Sequence, residues 1–77
     1  MEEKLKYYIV YIRQYSIMYN DTVVYKKHIK TTDIYHYIGY YYCTAIEKVE
    51  RIDYQEINEE TFNNGKDKTF RNGKEVD

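Results

Sequence analysis

Residues 5–12 read Leu-Lys-Tyr-Tyr-Ile-Val-Tyr-Ile, and apart from Lys6 every side chain in the run is apolar or aromatic. β-Branched and aromatic residues at this density fit a strand. Both parities are apolar: Leu5, Tyr7, Ile9 and Tyr11 on one face, Tyr8, Val10 and Ile12 on the other. A strand with one wet face would alternate. This one calls for a central place in a sheet, or for cover on both faces, and the rest of a 77-residue chain must supply it. A chain of that length is one domain with a thin core, since folding hides only roughly 60% of the unfolded surface.

Small domains of this kind often need disulfides, but Cys43 is the single cysteine and no internal bridge can form. That points to a reducing compartment. The first residues carry acids where a signal peptide has bases, and the apolar run Tyr7 to Ile12 is too short for a signal core or a membrane span. The expectation is a soluble cytoplasmic protein, without a membrane partner.

After Arg13 the pattern becomes alternating, with Tyr15, Ile17 and Tyr19 against Gln14, Ser16 and Met18. Asn20 and Asp21 then mark a turn into a returning strand, Val23 to Lys30. A three-residue loop, Asn20–Thr22, would pair Tyr19 with Val23 and Ile17 with Tyr25. That register gathers Tyr15, Ile17, Tyr19, Val23, Tyr25 and Ile29 on one face and Gln14, Ser16, Lys26, His28 and Lys30 on the other.

Thr32 or Asp33 offers a helix N-cap. Beyond it Ile34, Ile38, Tyr41 and Ala45 recur at helical spacing, flanked by Tyr35 and Tyr42 on one side and Tyr37 on the other. His36, Gly39, Tyr40 and Cys43 take the opposite face. Gly39 and the many β-formers weaken this helix, and a strand is the alternative. Residues 47–57, with Ile52 and Tyr54 alternating with polar groups, read as a third strand, although Glu47 and Arg51 would also suit a helix. The last part repeats itself: Thr-Phe-Asn-Asn-Gly-Lys from 61 and Thr-Phe-Arg-Asn-Gly-Lys from 69. Two short copies cannot build a solenoid; they suit a polar tail, or a small hairpin turning on Asn-Gly. The fold class is therefore α+β, in the order ββαβ, compact over 1–60 and followed by a tail over 61–77.

The residues offer little chemistry. His36 and Cys43 share a helix face and His28 lies upstream, but no close ligand pair accompanies them, so no metal site is expected. Seven residues apart on a helix, His36 and Cys43 lie about 10 Å from each other along the axis, too far for a nucleophile and its base. Cys43 suits a partly buried apolar role. No phosphate loop is present, and no cofactor or catalytic residue is assigned.

What remains is surface. The chain has 12 tyrosines, 2 phenylalanines and no tryptophan, and Ile, Lys, Tyr and Asn supply 35 residues. All four have A/T-rich codons, and a tiny A/T-rich chain without motifs looks like the products of phages and mobile elements. Tyrosine also makes good contact surface, with much area and a polar tip. His36 and Tyr40, with Tyr35 and Tyr37, are left outside the helix core, and Glu47, Glu50 and Asp53 begin an acidic segment that could imitate phosphates. These seven are the candidate partner-binding residues. The expected function is a non-enzymatic inhibitor of a host protein, a nuclease or defence complex; self-association into a homodimer is a competing use of the same surface. The alternative is single-stranded nucleic acid, bound by Arg13, Lys26, Lys27, His28 and Lys30 beside tyrosines. The register above argues against it, because it sets most tyrosines opposite Lys26 and Lys30, and the net charge is only −1.

Overall fold

The apolar segment near the start is an interior strand of a sheet. A computed structural model describes residues 4–76, in which β1 (Lys6–Ser16) is flanked by β2 (Asp21–Thr31) and β3 (Val49–Ile57). Between β2 and β3 runs α1 (Ile34–Thr44); after β3 come α2 (Glu59–Asn64), β4 (Lys68–Arg71) and β5 (Lys74–Val76). The five strands lie in the order β3-β1-β2-β4-β5, every neighbouring pair antiparallel. The chain is thus a small α+β domain whose first four elements run ββαβ. Its shortest dimension is 14 Å, about the depth of a sheet and one helix layer.

Each face of β1 is covered, but unequally. Tyr8, Val10 and Ile12 are buried together with Ile34 of α1, and Ile38, Tyr37 and Tyr41 pack against them. We call this the helix face. The helix starts where expected: the Asp33 carboxylate accepts the His36 N–H at 3.1 Å, filling one of the open donors of the first turn. On the other, open face α2 covers one end only, where Phe62 meets Tyr7 with ring centroids 5.0 Å apart.

The hairpin register differs from the expected one. β1 ends at Ser16 and β2 starts at Asp21, so the loop is Ile17–Asn20, and Ser16 faces Asp21, Gln14 faces Val23 and Ile12 faces Tyr25. One residue more in the loop exchanges the faces of β2 relative to β1. Gln14 and Ser16, expected in solvent, are 7% and 4% exposed, while Ile17 is 69% exposed. The reason lies in β1 itself. It runs without a bulge against β2, so the residues in line with Val10 and Ile12 must enter the helix face whatever their polarity. Gln14 is accommodated by hydrogen bonds: its Oε1 accepts the Tyr41 hydroxyl at 2.6 Å, and its Nε2 donates to the Glu47 carbonyl at 3.2 Å.

The segment expected as a tail over 61–77, or as a small hairpin, completes the sheet within the described residues, with β4 paired to β2 and β5 to β4. The two repeat copies fold differently. The first follows Asn58, whose side chain caps Thr61 N at 2.7 Å, and it becomes α2. The second forms the β4–β5 hairpin on Asn72 and Gly73, with φ of 52° and 76°, the left-handed pair that a two-residue turn demands.

Candidate functional site

Of the expected partner-binding residues, three share one surface. Tyr35 and Tyr40 are 72% and 64% exposed on the outside of α1, and the exposed His36 ring stacks on Tyr40 with centroids 6.4 Å apart and planes at 19°. Tyr37 is not among them; it turns inward onto the core, and burial, with Asp67 adding a smaller effect, raises its hydroxyl pKa.

Two tyrosines not assigned from sequence join this surface. Tyr42 is exposed on α1, and Tyr54 of β3 is exposed on the helix face of the sheet. The Tyr54 hydroxyl donates to the Tyr35 hydroxyl at 3.0 Å, and their rings meet edge to face, as do those of Tyr54 and Tyr8 beneath. The hydrogen bond to Tyr35, with burial next, raises the Tyr54 pKa. The pleat of β3 held the signal for Tyr54: it alternates with Asp53 and sits opposite Val10, which is core.

The acidic residues are elsewhere. Asp53 lies opposite Tyr11 in the β1–β3 register, hence on the open face, and is paired with Arg51 at 2.8 Å. Glu50, the extra residue at a bulge in β3, bonds Thr22 Oγ1 at 3.0 Å and pairs with Arg13 at 3.6 Å. Glu47 accepts Ile17 N at 3.0 Å, so it anchors the β1–β2 loop. The sheet separates Glu50 and Asp53 from Tyr35 and Tyr40, and each of these acids already has a partner.

The basic set is brought together more completely than expected. Arg13, Lys26, His28 and Lys30 all lie on the open face, with Tyr7, Tyr11 and Tyr15 in the same register rather than behind the sheet. A hollow of about 280 Å³ there is lined by Tyr11, Arg13, Thr22, Val24 and Phe70. Lys27 is the exception, on the helix face over the rings of Tyr25 and Tyr41. His28 is bound into the fold: its Nδ1 meets Asp67 Oδ1 at 2.9 Å, the same oxygen accepts its backbone N–H at 2.8 Å, and its side chain is 8% exposed.

Cys43 is exposed rather than partly buried. Among the described residues no group of three or more His, Cys, Asp or Glu side chains is arranged to hold a metal ion, and no helix is long and apolar enough to cross a membrane. Comparison of the chain with protein-family models, with curated proteins and with solved structures finds no match to any of them.

Proposed function

We propose that the chain is a small non-enzymatic binding protein that docks another protein through the tyrosine surface of α1 and β3, formed by Tyr35, His36, Tyr40, Tyr42 and Tyr54. The carrying observation is that four of these rings are held in place before any partner arrives, Tyr54 and Tyr35 by their hydrogen bond and His36 and Tyr40 by their stack. Ordered rings lose little further freedom on binding, so more of their contact energy is kept as affinity. Tyrosine is among the residues that most often carry that energy. Size and A/T-rich composition, of the kind found in products of phages and mobile elements, make a host nuclease or defence complex the partner class to try first, with inhibition by occupancy as the mechanism. Phosphate mimicry by the acidic segment gains no support, since Glu50 and Asp53 lie across the sheet and are paired.

A second reading has one observation in its favour. The open face does set Tyr11 and Tyr15 beside Arg13 and Lys26, as a single-strand platform would. Against it, Arg13 is paired with Glu50, Lys68 with Glu75 and the His28 ring with Asp67, so part of the positive charge of that face is already engaged by carboxylates.

One capture experiment separates the readings. Immobilised protein is incubated with nuclease-treated lysate and, separately, with labelled single-stranded DNA. The tyrosine surface predicts a protein captured by wild type and by Lys26→Glu, and lost with Tyr40→Ala at unchanged melting temperature. Retention of DNA at near-physiological salt, abolished by Lys26→Glu and kept by Tyr40→Ala, would overturn it.

A further inference from the structure

The long strand β3 leaves one whole edge open: among the described residues it pairs with β1 alone. Nine residues of unpaired edge are a template for another strand, and proteins usually blunt such an edge with charge. Here the charges do something more selective. In β3 the order is Glu50-Arg51-Ile52-Asp53-Tyr54, with Arg51 and Asp53 on the same face, 72% and 54% exposed and in contact with each other. We infer that β3 pairs antiparallel with β3 of a second copy, about a two-fold axis at Ile52, to give a continuous ten-stranded sheet.

The register follows from which charges meet. A two-fold axis normal to the sheet passes through one residue of the strand, which then faces itself. At Ile52, Arg51 faces Asp53 of the second copy and the reverse, so each intrachain pair gains an equivalent across the dyad, while the bulge at Glu50 closes the ladder beyond Arg51. Moving the axis by one residue in either direction puts Arg51 against Arg51 or Asp53 against Asp53. Directly opposed like charges destabilise a ladder, and opposite charges support it. Charge thus favours this pairing and opposes its neighbours, which a merely protected edge would not need.

The pairing leaves α1 of both copies on one side of the joined sheet, because residues directly opposite each other share a face. It also sets the two Tyr54 side chains on that side about 14 Å apart, four residues along and one strand across. The dimer does not depend on the tyrosine surface binding anything.

Sedimentation across a concentration series tests the inference, with Tm read on every variant. Wild type is expected as a dimer that loosens as salt rises. Arg51→Asp and Asp53→Arg each create like-charge contacts at the dyad and are expected to raise the dimer Kd by about tenfold. The double variant Arg51→Asp/Asp53→Arg restores opposite charges and is expected to restore the dimer, which also shows that the single variants failed to pair rather than to fold. Tyr40→Ala, on the helix surface, is expected to leave dimerisation unchanged. A wild type monomeric up to about 1 mM, a dimer indifferent to both single variants, or one broken by Tyr40→Ala would each overturn the β3 edge.

Discussion

At Gly65 the absence of a side chain is used by a neighbour. A Cβ built there would overlap the His28 imidazole, and that ring is packed edge-on to Phe62 and hydrogen-bonded to Asp67. The ring thus adds its contacts with Gly65, Phe62 and Asp67 to the strand pairing and the His28 N–H bond that join the α2–β4 segment to β2. Gly65 has φ of −81°, which any residue adopts, so its role is close approach rather than backbone freedom. Gly65→Ala is accordingly expected to destabilise by about 1–3 kcal/mol, through the displaced ring and its lost hydrogen bond. The check is a double-mutant cycle by denaturant unfolding. In a His28→Ala background the Gly65→Ala penalty should vanish; an equal penalty in both backgrounds would show that something other than the ring is displaced.

For the helix, Gly39 presents the opposite case. Nothing lies within 4 Å of a Cβ placed there, so the only effect of adding one is on the chain's freedom. Gly39→Ala should raise stability by about 1 kcal/mol, visible as a higher midpoint with an unchanged denaturant slope. A loss of stability would mean that α1 packs against more than the sheet below it. The first four elements were legible in the sequence: the apolar run marked β1, Asn20-Asp21 a return into β2, the stripe Ile34, Ile38, Tyr41 after a cap at Thr32 or Asp33 marked α1, and the alternation of Ile52 and Tyr54 marked β3. By contrast, α2, β4 and β5 lay in what read as a polar tail or a small hairpin. Register was less legible. Gln14 and Ser16 look like solvent-facing residues, and only the partner atoms of Tyr41 and Glu47, more than 25 positions away along the chain, make the burial of Gln14 tolerable. The two Thr-Phe-x-Asn-Gly-Lys copies were illegible for a related reason, since the Asn58 cap and the pairing with β2, not the repeat, decide which copy turns. The candidate surface was half readable: the outside of α1 followed from its period, whereas Tyr54 came from β3 and the acids fell behind the sheet.

Taken whole, the molecule has among its described residues a core of Tyr8, Val10, Ile12, Val23 and Ile34, and it extends that core with tyrosines that keep their hydroxyls at its rim. Such a rim makes stability depend on alkaline pH. Burial raises the hydroxyl pKa of both Tyr37 and Tyr41 above the ordinary value of 10.0, with smaller effects from Asp67 on Tyr37, and from Tyr37, Tyr25 and Glu47 on Tyr41. The sign follows from which state loses protons first. Below pH 10.0 both folded and unfolded chains hold these protons, and the full stability is present. Above it the unfolded chain ionises first and the folded chain retains its protons, so stability falls as pH rises through the folded values. A flat melting temperature through neutral pH, then a decline beginning near pH 10.0, is the expected profile, with the tyrosinate absorbance of Tyr37 and Tyr41 appearing only as the chain unfolds. Tyr41→Phe removes one late-ionising group together with its bond to Gln14; it should lower stability at neutral pH yet make the alkaline decline shallower. Were wild type to keep constant stability up to about pH 12, the hydroxyls of Tyr37 and Tyr41 could not be held at the edge of the core as the packing of α1 on β1 requires.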